Sequence, residues 1–231
     1  CVVTGGTEGI GKSIIYCFAE QGFDIITCAR NQTKLDLLKS DVEEKFAVRV
    51  SVLGVDLSIK EEVVKFGNFV NNMGTPEVLI NNAGIGTFQK IEDVTSSDFE
   101  LIFNTNVFGL ALLSKSIISV MKEQMSGTII NIGSSASIKG FSAGSVYAAS
   151  KFAVRALTQC WQAELRPFNI RVCQLNPSEV TTAFYNEERQ ERAEVHNKLS
   201  PKEIAHSILS ILEMEDKGFI TELNVWATNP F

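Results

Sequence analysis

Val2-Val3-Thr4-Gly5-Gly6-Thr7-Glu8-Gly9-Ile10-Gly11-Lys12-Ser13 joins three β-prone residues, a cluster of glycines and the start of an amphipathic run. Glycines let a backbone turn tightly and approach a ligand closely. The helix that follows offers free N–H groups and a positive dipole end to a phosphate. Two nucleotide readings compete over this stretch. Gly6 through Ser13 satisfies G-x-x-x-x-G-K-[ST], the P-loop pattern, with Lys12 for phosphates and Ser13 for Mg²⁺. Gly5, Gly9 and Gly11 instead form a variant dinucleotide loop spaced G-x-x-x-G-x-G, the strict G-x-G-x-x-G being absent. The loop by itself does not choose between ATP and NAD(P).

Downstream of the loop, apolar runs of strand length alternate with helical periodicity. β-rich runs fall at 1–4, 24–29, 48–55, 77–80, 127–133, 169–175 and 219–226, and amphipathic segments at 10–22, 31–46, 58–73, 97–122, 146–167 and 201–215. Within 31–46, Leu35, Leu38, Val42 and Phe46 recur every three or four residues and mark one helical face. Strands alternating with helices imply an α/β fold: a Rossmann-type, doubly wound parallel sheet of about seven strands with helices on both faces. No linker or repeat divides residues 1–231, so one dinucleotide-binding and catalytic domain is expected. Such a fold binds ligands at the carboxyl ends of its strands, where strand order reverses.

Composition narrows the function classes. The chain is 45% apolar and 21% charged, which fits a globular protein, and its net charge of −6 lacks the basic footprint of a nucleic-acid binder. The apolar stretch Leu101 to Met121 is interrupted by Asn104, Asn106 and Lys115, so no membrane partner is expected. Five scattered cysteines without a C-x-x-C pair read as reduced thiols of a cytoplasmic protein, with no metal site. There is neither a signal peptide nor an initiator Met, and the first residues read as mid-strand, so residues are expected to precede Cys1.

Two positions speak to chemistry. After the second strand, Cys28-Ala29-Arg30-Asn31 places a guanidinium where NAD-binding folds carry a carboxylate for the ribose 2′-hydroxyl. Arg30 therefore favours NADPH over NADH. Tyr147-Ala148-Ala149-Ser150-Lys151 puts a phenol and an ammonium one helical turn apart on the same face. A fixed cation favours phenolate, turning a poor base into an acid/base able to exchange a proton with a carbonyl oxygen.

Taken in order, these elements resemble the short-chain dehydrogenase/reductase family over nearly the whole chain. Thr4-Gly5-x-x-x-Gly9-Ile10-Gly11 is similar to its cofactor loop, and Asn81-Asn82-Ala83-Gly84 to its N-N-A-G motif. Ser134, 13 residues before Tyr147, matches its catalytic serine, and Asn106 the asparagine of its tetrad. The resemblance implies an NADP(H)-dependent reductase in which hydride passes to a carbonyl carbon. Tyr147 would protonate the alkoxide, Lys151 would lower the phenol pKa and bind the nicotinamide ribose, Ser134 would orient the carbonyl, and Asn106 would hold a water leading to solvent. It further implies cofactor contacts at Gly5, Thr7, Gly9, Ile10, Gly11, Arg30 and Asn31. Asp56 and Leu57 would meet adenine; Asn82, Ala83 and Gly84 the ribose; Pro177, Val180 and Thr182 the nicotinamide side. For Asn106 a helix-distorting role is the competing reading.

The chain departs from the family pattern twice. Pro177-Ser178 stands where Pro-Gly is common, and Glu8 stands where NADP-preferring members often carry Arg or Lys. A carboxylate there would repel a 2′-phosphate, so the NADPH preference rests on Arg30. Loops 85–92, 136–146 and 178–199 are expected to face substrate in a fairly open site. They offer Phe88, Phe141, Phe184 and Tyr185 to an apolar or 3-oxoacyl ketone. Apolar faces at 97–122 and 146–167 suggest a homodimer or homotetramer. The alternatives are a sensor that holds NADPH without turnover and a P-loop NTPase.

Several other motifs are set aside. Gly140-Phe141-Ser142-Ala143-Gly144 matches G-x-S-x-G but lacks a strand running into it, and His196 and His206 are the sole histidine bases available to it. The Glu187–Arg192 charge run reads as a solvated helix face with Glu188 and Arg192 paired, or as part of a lid. Asn31-Gln32-Thr33 is a glycosylation sequon without meaning in the cytosol.

Overall fold

The computed structural model describes residues 1–185, 193, 195–215 and 217–229. The charge run Glu187–Arg192 lies outside the described residues, as does the Tyr185 side chain. Seven strands, β1 (Val2–Thr4), β2 (Ile25–Ala29), β3 (Val50–Gly54), β4 (Val78–Asn81), β5 (Gly127–Ile132), β6 (Ile170–Pro177) and β7 (Glu222–Val225), form one sheet in the order β3-β2-β1-β4-β5-β6-β7. Every pairing is parallel. The order reverses at β1, which pairs β2 on one side and β4 on the other, so the switch point lies beside the glycine loop.

Alternation along the strands distributes the core between the two faces. Val3, Ile80 and Ile130 point to one side with Ile14, Phe18, Ile204 and Ile208; Val2, Leu79 and Ile129 point to the other with Phe66, Leu113 and Ile117. The first side belongs to α1 (Gly9–Glu20), α2 (Gln32–Lys45) and α7 (Pro201–Leu212). The second belongs to α3 (Lys60–Asn72), α5 (Leu110–Gln124) and α6 (Ser145–Leu165). Phe18 and Phe66 are fully buried, one in each layer, and each such side chain contributes roughly 1.5–3 kcal/mol by leaving water. Side chains also define where helices begin. Ser200 and Glu203 close a capping box ahead of Pro201 in α7, and Asn31 caps α2 through Lys34 N at 3.0 Å.

The segment expected as one helix over 97–122 is three pieces. α4 (Ser96–Phe103) runs into a π-helical turn, Asn104–Gly109, before α5 resumes. The extra residue per turn brings Asn106 inward, where it is 1% exposed. At Gly109 an added methyl would lie 2.1 Å from Leu57 O, so glycine lets this turn press against the end of the β3 loop. By length and composition Ser96–Gln124 is apolar enough to cross a membrane, but its Ile102, Leu113, Ile117 and Met121 are buried in the protein.

Candidate active site

A cleft of about 710 Å³ opens at the carboxyl ends of the strands. At one end Gly5 (φ +70°) and Gly9 (φ +52°) carry the loop through left-handed backbone that side chains rarely adopt. A Cβ on Gly9 would lie 3.2 Å from Thr182, so the loop and the segment after β6 close on each other. Glu8, at the N-cap of α1, makes no side-chain cap bond, which suits the first N–H groups of the helix to a ligand. The loop is tied to β4 by a latch. Thr4 Oγ1 accepts from Asn82 N and Ala83 N, both at 3.0 Å, while Asn82 Nδ2 donates to Thr4 O at 2.9 Å and Gly5 O at 3.2 Å. Asn81 works in the opposite direction, donating to Ser114 Oγ at 2.9 Å and Asn131 Oδ1 at 2.8 Å inside the core. The two asparagines of one motif thus serve different layers.

Gly5, Thr7, Gly9, Ile10, Arg30, Asn31, Asp56, Leu57, Asn82, Ala83, Gly84, Pro177, Val180 and Thr182 all line this cleft, together with Ser134, Tyr147 and Lys151. Two expected site residues stand apart from its wall. Gly11 packs beneath the loop, where a Cβ would meet Gly5 O at 2.2 Å, and Asn106 sits behind Gly84. Lys12 and Ser13, the working residues of the P-loop reading, are also outside the lining, and Lys12 lies within electrostatic reach of Asp41 instead. Sequence reasoning missed Glu8 as anything but a repeller, and it missed Lys34 altogether. Both line the cleft and form an ion pair with each other.

At the other end α6 brings Tyr147 and Lys151 together. The ammonium lies 5.8 Å from the phenol ring centroid and donates to Ile132 O at 2.8 Å. Burial pushes the Lys151 pKa down from 10.5 to about 8, because a desolvated ammonium loses its hydration. Ser134, at the end of β5, accepts from Ala136 N at 3.1 Å and is aligned by Ser137 Oγ on its own N–H at 3.1 Å. Asn106 makes three side-chain bonds: Nδ2 donates to Ile85 O at 2.9 Å and Ser150 Oγ at 3.1 Å, and Oδ1 accepts from Ile85 N at 2.9 Å. Ser150, unnoticed in the sequence, completes the chain by donating to Tyr147 O at 2.7 Å. Asn106 therefore braces both the loop carrying Gly84 and the helix carrying Tyr147.

The phenol is more covered than an open site would leave it. Tyr147 is 6% exposed, with the Phe88 ring 5.5 Å and the Phe184 ring 5.6 Å from its own, and Phe141 rests 6.1 Å from Phe88. These rings make the substrate side apolar. The G-x-S-x-G stretch is far from a strand end, β5 stopping at Ile132, and its Ser142 is exposed.

Fold and cleft together define a dinucleotide-binding α/β protein with a Tyr–Lys pair at one end of the cleft. The short chain dehydrogenase family matches residues 1–193, and the chain belongs to that family. It is 30% identical over 221 residues to a 3-ketodihydrosphingosine reductase of Bos taurus, covering 90% of this chain and 66% of that protein. The chain thus spans about two thirds of the length of that relative. Among solved structures, an alcohol dehydrogenase from Thermococcus sibiricus complexed with 5-hydroxy-NADP superposes with a TM-score of 0.90 at 25% identity, covering 98% of this chain and 95% of that one. A metagenomic short-chain oxidoreductase in complex with NADP gives 0.84 at 26% identity, covering 97% and 95%.

Proposed function

We propose that this chain is an NADPH-dependent reductase of an apolar ketone. The observation that carries the reading is that one cleft holds both an uncapped helix start behind positive-φ glycines and the buried Tyr147–Lys151 pair. The glycine loop, the α1 N-terminus, Asp56, Leu57 and Asn82 to Gly84 suit a dinucleotide, and Arg30 suits a 2′-phosphate. Bound there, a reduced nicotinamide supplies hydride. Ser134 hydrogen-bonds the carbonyl oxygen and fixes its position. Tyr147 gives its phenolic proton to the same oxygen as negative charge builds. Lys151 stabilises the phenolate left behind and, lining the same cleft, would hold the cofactor ribose. Asn106 holds the loop and helix in register through Ile85 and Ser150, and would hold a water linking Lys151 to solvent.

The names of the similar proteins support parts of this reading: one is named for a keto compound, and two solved structures are complexed with NADP or an NADP derivative. The apolar substrate class rests on Phe88, Phe141 and Phe184, and extends to 3-oxoacyl chains. Association into a dimer or tetramer and a cytoplasmic setting belong to the same proposal, the latter supported by five unpaired cysteines. Replacing Tyr147 with Phe tests the chemistry. NADPH consumption with a panel of aliphatic 3-ketones is expected to fall about 10³-fold while NADPH affinity by fluorescence titration stays within about twofold. A wild-type protein that binds NADPH and turns over no carbonyl would establish the sensor reading instead.

A further inference from the structure

Glu8 raises a problem that the structure answers. The sequence puts a carboxylate in the glycine loop, where it would repel a 2′-phosphate. In the folded protein that carboxylate is engaged by Lys34, from the first turn of α2, and both residues line the same cleft as Arg30 and Asn31. Asn31 accepts from Lys34 N at 3.0 Å, so the backbone of the lysine is fixed at the N-terminus of α2 while its long side chain is steered by Glu8. Lys34 is 51% exposed and Glu8 26%. Without a partner, a lysine this exposed would sample many rotamers and spend little time over the cleft.

We infer that Lys34 is the second cation of the 2′-phosphate site and that Glu8 is its positioning residue. The inference rests on the NADP(H) reading above. The charges decide the sign. A corner of Arg30 and Lys34 with Glu8 carries a net single positive charge, whereas Arg30 with an unpaired Glu8 carries none. A 2′-phosphate brings nearly two negative charges at neutral pH, so the corner attracts it only while Lys34 is present. The second cation is supplied from α2, 26 residues downstream of Glu8, and the loop carboxylate is its tether. A pair this exposed adds little stability by itself, so its measurable consequence is selectivity between nucleotides.

The test uses calorimetric titration of the intact protein with adenosine 2′,5′-bisphosphate and with 5′-AMP, which differ by the 2′-phosphate and need no turnover. The wild type is expected to bind the bisphosphate at least about tenfold more tightly. Lys34→Gln should erase most of that ratio, leaving 5′-AMP affinity within about twofold. Glu8→Gln should change the ratio by less than about threefold, because removing the carboxylate also releases the lysine. In the double variant the loss should be smaller than for Lys34→Gln, since no unpaired carboxylate remains. If Lys34→Gln weakens both nucleotides by one factor, or neither, the inference is overturned. So is it if Glu8→Gln alone strengthens bisphosphate binding more than tenfold, for then Glu8 is the repeller that the sequence suggests. Arg30→Ala separates the two readings: a wild type without preference for the bisphosphate removes the NADP(H) assignment itself, while loss of preference in Arg30→Ala but not in Lys34→Gln removes this inference alone.

Discussion

Lys151 shows how one side chain is set against the stability of the fold. The residue is 6% exposed, and burial lowers its pKa to about 8 from 10.5. Below pH 8 the group is charged in both the folded and the unfolded chain, so the cost of burying the charge is present in full. Between pH 8 and 10.5 the unfolded chain binds the extra proton, and that cost fades as pH rises. Lys151→Met is therefore expected to raise the melting temperature of the cofactor-free protein by a few degrees at pH 7. The gain should shrink toward pH 10.5, and carbonyl turnover should fall at least about 100-fold. Calorimetric scans at pH 7 and pH 10, with steady-state rates at pH 7, check both halves. A melting temperature that drops at pH 7 would mean that the bond to Ile132 O outweighs desolvation. Tyr147, Lys151 and Ser134 were legible because their spacing is local or follows a strand end. Ser150 was not, since nothing in a serine between the two marks it as the partner of an asparagine 44 residues away.

At the scale of elements, the β1–α1 junction depends on contact more than on backbone freedom. Gly11 sits inside α1 and faces Gly5 O, with room for hydrogen and none for a methyl, whose carbon would be 2.2 Å from that oxygen and 2.5 Å from Asn82 Nδ2. Gly11→Ala is expected to destabilise the protein by more than about 2 kcal/mol and to weaken dinucleotide binding, because the loop must lift off β4. Gly140→Ala is the control, as nothing lies within 4 Å of its Cβ position, and it should leave the melting temperature within about one degree. Equal effects from the two substitutions would show that the loop relaxes freely. The π-helical turn belongs to this scale as well. Helix distortion is the competing reading of Asn106 beside its catalytic one, and the π-helical turn over Asn104–Gly109 contains that residue. Its place in the sequence carries no period signal, since the apolar positions on either side remain helical.

Across the whole molecule exposed apolar side chains are scattered, Leu37, Ile91 and Trp226 among them, but three phenylalanines fall on the helices expected to mediate association. Phe99 (41% exposed) is on α4, Phe108 (57%) on the π-helical turn, and Phe152 (42%) on α6. Large rings left in water on neighbouring helices favour burial against another copy. Analytical ultracentrifugation is expected to show at least twice the mass of one chain, and the Phe108→Glu, Phe152→Glu double variant to sediment as one chain with its fold intact by circular dichroism. A wild type that is monomeric at all concentrations would remove the association proposal. Ser96–Gln124, apolar enough to suggest a span, places Leu113, Ile117 and Met121 against α3 and the sheet.

The sequence by itself determined the alternation of strands and helices, the two-sided parallel sheet and the line of residues along its carboxyl edge. Each of these follows from hydrophobic period and from glycines placed next to a strand end, which are local properties of a chain. Tertiary structure alone decided what the polar residues do once that edge is assembled: Asn82 latching the glycine loop, Asn106 joining loop to helix, the aromatic rings closing on Tyr147, and Lys34 taking up Glu8. Those outcomes depend on which side chains meet across many tens of residues. Charge and hydrogen bonding act through distance in space, and only the folded chain sets that distance.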